Sequence, residues 1–195
     1  MKNAKYFIIA VACICLICGG FFFFVQNNQP SEKELTEVEK VIAKDLKRDY
    51  PKTPREVVKL YNRIVSCYYG EKLSDKQIED LADQMLAIMD EDLLLVNERE
   101  DYYRSVRTDI EKYQQENKKL VSWDVCSGNE VKYLPDKKEG STEEDKLAYV
   151  DSTYFMNING KFGYTYQQFV LRQDEKGDWK LLTFYEVEGE SSDDE

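Results

Sequence analysis

The chain has 195 residues, 38 acidic against 27 basic for a formal net charge of −11, and no histidine. The acidic balance repels nucleic acid and anionic lipid surfaces. The missing imidazole removes serine–histidine and cysteine–histidine catalysis and the commonest transition-metal ligand, so no catalytic residue, metal or cofactor is expected.

The first element is the run from Tyr6 to Val25, which carries no charge. At about 1.5 Å per residue it is long enough to cross a hydrocarbon core of roughly 30 Å. It ends in four phenylalanines rather than in small residues and continues well past Cys13, so neither signal cleavage nor lipidation is expected. Lys2 and Lys5 precede the run and the first acidic residue is Glu32. The positive-inside bias therefore predicts a single-pass protein of the cell membrane, with a cytoplasmic N-terminus, an extracytoplasmic C-terminal domain and the lipid bilayer as partner through residues 6–25. Setting those two lysines aside leaves 25 basic against 38 acidic residues outside, a formal −13.

The predicted organisation is a cytoplasmic tip and anchor over residues 1–29, a helical stalk or connector over 30–52, one domain over 53–188 and a disordered acidic tail over 189–195. In the connector Ser31 and Glu34 have the spacing of a capping box, and Leu35, Val38, Ile42 and Leu46 form one stripe. Such a helix either pairs with a second copy, giving a homo-oligomer through the stalk, or packs on its own domain.

Thr53-Pro54-Arg55-Glu56 opens the next helix, with Val57, Leu60, Tyr61, Ile64, Cys67 and Tyr68 inward and Gly70 as its stop. Ser74 to Gln77 opens another, with Ile78, Leu81, Met85, Leu86 and Met89 inward. Asn97 and Glu100 predict the cap of a further helix running to about Asn117, with Tyr102, Val106, Ile110 and Tyr113 at helical spacing. Cys67 and Cys126, the cysteines outside the apolar run, are too few for a zinc site. In an exported domain they could form one disulfide, two free thiols being the alternative.

From Leu120 the apolar period changes to two. "LVSWDVC" and "EVKYL" flank Ser127-Gly128-Asn129 and predict a hairpin, and "LAYVDSTYFMNI" leads through Asn159-Gly160 into "KFGYTYQQFVLRQ". "DEKGD" turns the chain into "WKLLTFYEV". Helices first and an antiparallel meander last predict an α+β fold.

"TPREVVKLYNRIV", "YYG" and "FVLRQDEKGDWKLLTFYEV" resemble an uncharacterised, domain-of-unknown-function family of single-span membrane proteins from Gram-positive anaerobes. The order of helices then hairpins is more distantly similar to the NTF2-like fold. That resemblance implies a transmembrane helix and connector followed by an NTF2-like cone, three helices packed on a curved antiparallel sheet of about five strands. It also implies a pocket between helices and sheet.

Pairing about Asn159-Gly160 sets Asp151 opposite Gln168, Thr153 opposite Tyr166 and Phe155 opposite Tyr164, with Tyr185 and Thr183 joining the same face. Asp151, Thr153, Tyr166, Gln168 and Tyr185 are thus the candidate ligand-binding residues. Asp151 or Asp124 would be the base if the domain were an isomerase-like or hydrolase-like enzyme of the NTF2 type. The leading expectation is a membrane-anchored extracytoplasmic domain without catalytic activity that binds an unknown protein partner or small ligand. The alternatives are an assembly scaffold resembling VirB8-like components of conjugation machines, and a small-molecule-binding or isomerase-like enzyme.

Overall fold

The computed structural model describes residues 34–70, 72–137 and 144–188. The chain divides into two units, Met1–Glu34 and Leu35–Glu195, and the architecture below is that of the second. Helix α1 is Glu37–Ile42, α2 Pro54–Gly70, α3 Asp75–Ile88, α4 Glu91–Leu95 and α5 Arg99–Gln115. Strands β1 Lys118–Val125, β2 Lys132–Lys137, β3 Glu144–Ile158, β4 Lys161–Gln173 and β5 Trp179–Val187 follow and form one antiparallel sheet.

Local chemistry accounts for the helix starts. Thr36 caps α1, accepting the Glu39 amide while the Glu39 carboxylate takes the Thr36 N–H. Ser31, where the sequence suggested that cap, lies outside the described residues. Thr53 and Glu56 form the same reciprocal pair at the head of α2, at 3.2 and 3.1 Å, and Ser74 with Gln77 does so for α3. At α5 the expectation fails. Asp90 caps the short α4, the Asn97 side chain donates back to the Leu93 carbonyl at 2.8 Å, and α5 starts after Glu98 with no side-chain cap. Five apolar-rich residues were enough to close a separate turn ahead of the long helix.

The question of the connector helix is settled by burial. Val38 and Val41 of α1 are fully buried in the domain core. The Gln84 amide of α3 donates to the Ile42 and Lys44 carbonyls at 3.0 and 2.9 Å, and Arg63 of α2 pairs with Glu37 at 2.7 Å. The helix is docked on its own domain, and its apolar face is used there.

The sheet corrects a second expectation. β1 and β2 do not pair with each other: β1 runs along residues 152–158 of β3, and β2 along residues 144–149. β3, at 15 residues, is long enough to take both end to end on one edge. Residues 126–131 loop out between them, held by the Ser127 amide on the Glu130 carboxylate at 2.6 Å. The Asn159-Gly160 turn has φ of 52° and 82°, the left-handed pair a two-residue hairpin requires. It sets the β3–β4 register as expected. A bulge between Val170 and Leu171 shifts β5 by one residue, which keeps both Leu181 and Phe184 on the helix side of the sheet.

Helices α2, α3 and α5 cover one sheet face, where Ala148, Val150, Phe169, Leu171 and Leu181 are buried with Val57, Ile64, Leu81 and Met85. The expected architecture, a transmembrane helix and connector ahead of a three-helix NTF2-like cone, is corrected accordingly. Among the described residues there are five helices, and none is long and apolar enough to cross a membrane. The longest have 17 residues and one charged or polar face. Residues 6–25, where the span was expected, and the tail at 189–195 lie outside the described residues. What the chain shows is an α+β domain with a five-stranded antiparallel sheet.

Candidate functional site

Successive side chains on a strand point to opposite faces, so β3 and β4 present two different surfaces. One row, Ser152 and Tyr154 with Gln167 and Thr165, faces the helices. The other, Asp151 and Thr153 with Gln168 and Tyr166, faces away.

The five residues picked from the sequence do come together, on the face away from the helices. Asp151 pairs with Gln168 and Gln168 with Tyr185, while Thr153 pairs with Tyr166. A chain of side-chain bonds links three strands: Tyr185 donates to Gln168 Oε1 at 2.5 Å, and Gln168 Nε2 donates to Asp151 Oδ1 at 2.8 Å. The expected pocket between helices and sheet is not formed by these residues, because α2, α3 and α5 lie on the other side. Phe162 and Tyr164 extend the row and are each 62% exposed, with Phe155 stacked on Phe162 at 5.5 Å and against Tyr164 at 4.9 Å. The surface is an open aromatic platform with a fixed polar strip beside it. Asp124 is exposed on the same face, its carboxylate taking its neighbour's amide from Val125 at 2.9 Å. Among the described residues neither aspartate lines the cavities of the domain.

A cavity does exist on the helix side, between helices and sheet, but the residues lining it are not the ones picked from the sequence. It measures about 230 Å3 and lies between α2, α5 and strands β1, β3 and β4. Four of its nine lining residues are tyrosines: Tyr61 and Tyr69 from α2, Tyr113 from α5 and Tyr154 from β3. Tyr69 and Tyr113 stack at 3.8 Å with 19° between planes, and Tyr61 meets Phe169 edge-on at 4.9 Å. Tyr61 and Tyr113 were read from spacing as plain core positions. The helical period marks a residue as inward but cannot say that the inward space is left partly empty.

Beneath the cavity is a polar network. Asn62, fully buried on α2, donates to Ser152 Oγ at 2.9 Å and accepts the Tyr154 hydroxyl at 2.5 Å. Ser152 in turn donates to the Asp124 carbonyl at 2.8 Å. Nearby, Trp123 Nε1 donates to Ser66 Oγ, which donates to the Asn62 carbonyl, both at 2.8 Å. Burial raises the phenol of every wall tyrosine: Tyr61 well above its ordinary value, Tyr69 to about 12 with help from the Asp109 charge, and Tyr113 and Tyr154 upward as well. The wall tyrosines are therefore neutral at physiological pH, and Val65, Leu120 and Met156 complete the walls with apolar surface. Among the described residues none lining it is charged.

Cys67 and Cys126 are not joined to each other by a disulfide. Arg55 Nε donates to the Cys126 carbonyl at 2.5 Å near the start of α2, while Cys67 lies about 18 Å further along that helix from Arg55, at 1.5 Å per residue. Burial also pushes the Cys126 thiol up, which slows its reaction. Alkylation of the unfolded, unreduced protein is expected to label both Cys67 and Cys126 on their peptides; a linked peptide pair would contradict the geometry. Among the described residues no group of cysteine and carboxylate side chains could hold a metal ion.

No curated protein matches the chain. Residues 1–184 match the family model described as Domain of unknown function (DUF6715), and the chain belongs to that family.

Proposed function

We propose that the protein is a non-enzymatic interaction domain held at the extracytoplasmic face of a cell membrane, whose contact surface is the open face of the sheet. Attachment rests on the sequence: the uncharged run at residues 6–25 behind Lys2 and Lys5. The observation that carries the interaction reading is the exposed aromatic row of Phe162, Tyr164 and Tyr185 beside the Asp151–Gln168–Tyr185 chain. A domain that buries Phe169, Leu171 and Leu181 completely on one face has no folding reason to present large rings on the other. Aromatic anchors with a polar strip beside them are the usual make-up of a protein contact surface. The formal −13 of the part after residue 25 favours a partner with a basic rim around an apolar patch.

The test is a photo-crosslinking side chain placed at Phe162 or Tyr164 in the full chain in its host cells, with Lys76 on the helix side as control. Discrete adducts from the first two positions and none from the control are expected. No adducts, or the same pattern from all three, would reject the reading. Protease added to intact, wall-stripped cells is expected to digest the folded domain; full protection would reject the placement outside.

A further inference from the structure

The tyrosine-walled cavity lies on the other side of the sheet from the proposed contact surface and is independent of it. Three of its properties restrict what it can hold. Its volume of about 230 Å3 is below the roughly 300–1,000 Å3 of sites for drug-sized ligands, so the occupant is small. Among the described residues no lysine or arginine lines it, so an anion entering would lose its hydration for nothing. Tyr61, Tyr69, Thr165 and Gln167 also line it, and their side-chain polar groups have no hydrogen-bond partner among the described residues. By contrast the Tyr154 and Tyr113 hydroxyls are engaged, on Asn62 and on the Met156 sulfur at 3.6 Å.

What remains is a half-open cavity of tyrosine rings, the apolar side chains of Val65, Leu120 and Met156, and a few polar groups, which carries no full charge. A metal ion or primary ammonium is strongly hydrated and needs a carboxylate or several acceptors to replace its water. A quaternary ammonium is weakly hydrated and spreads its charge over methyl groups, and such groups are recognised by aromatic cages. We propose that the cavity binds a small quaternary ammonium compound, its charge held by the faces of Tyr61, Tyr69 and Tyr113 and its polar end by Thr165 and Gln167.

The experiment is calorimetric titration of the full chain, kept in solution with a maltoside detergent, with choline and separately with the neutral isostere in which carbon replaces the nitrogen. Choline is expected to bind and the isostere to bind about tenfold more weakly, the scale of a desolvated cation–π contact. Tyr69→Leu, which removes one π-face, should cost choline a further loss of about tenfold. Tyr61→Phe, which keeps the ring, should leave affinity within about threefold. Equal binding of choline and isostere would mean that shape alone is recognised and would overturn the proposal. So would no heat with choline at millimolar concentration, or a Tyr69→Leu protein that melts normally and binds choline unchanged. If Tyr69→Leu fails to fold, the comparison of choline with its isostere on the unaltered chain still decides.

Discussion

Replacing Arg172 by methionine is expected to lower the unfolding free energy by about 3–5 kcal/mol, the cost of leaving a buried charge without its partner. Asp90 is 3% exposed and Arg172 8%. Arg172 Nε donates to Asp90 Oδ2 at 3.0 Å, and its terminal nitrogen donates to both Asp90 and Asp92, the latter at 2.6 Å. Burial works against the guanidinium charge, but these bonds outweigh it and hold the group above its ordinary pKa. Asp90 has two further tasks: its carboxylate caps α4 and its amide donates to the Leu181 carbonyl at 2.8 Å, beside a parallel bridge of Met89 to Leu181. The ion pair thus fastens the head of α4 to β4, while the Asp90 amide ties it to β5. Urea unfolding followed by circular dichroism measures the loss, and Arg172→Met combined with Asp90→Asn should cost less than the two single changes together. A single-variant loss below about 1 kcal/mol would show that the pair is not buried as described.

Much of this fold was legible. The caps at Thr53 and Ser74 are local chemistry, readable from four residues each, and the Asn159-Gly160 turn fixes register because only one pairing closes a two-residue loop. That is why Asp151, Gln168 and Tyr185 were placed side by side correctly. Their layer was misjudged, although a signal existed: Ala148, Val150, Phe169 and Leu171 fall on the opposite parity and are all apolar, so that row had to face the helices. The β1–β2 hairpin failed for another reason. Alternation says that a segment is a strand but not which strand it meets, and the length of β3 decided it. Pairing of Arg172 with Asp90 was out of reach, since the two are 82 residues apart. The tyrosine cavity depends on how α2 and α5 are spaced over the sheet, which no pattern within a single element records.

Asn62→Leu is expected to cost about 2–4 kcal/mol, and its value lies in separating packing from polarity. Leucine matches asparagine in branching and heavy-atom count and is bulkier, so no void is left. The Tyr154 hydroxyl, however, loses its acceptor and Ser152 its donor, and a buried polar group without its partner costs about 1–3 kcal/mol. Ser152 keeps its bond to the Asp124 carbonyl, which limits its share. Asn62→Asp tests the same network through pH. A carboxyl in this dry site has its pKa raised above that of the unfolded chain. Relative to the parent, the variant should therefore be least destabilised below about pH 4 and lose stability as pH rises through the folded value. Flat stability across that window would mean water reaches the site. The network also bears on the cavity: the Tyr154 ring is one of its walls, and Asn62 is what holds that ring's hydroxyl. Leucine at this position should then weaken choline binding although it touches no ligand, whereas substitution of Phe162 on the open face should leave it unchanged. A cavity whose affinity ignored Asn62 would be shaped by its rings alone.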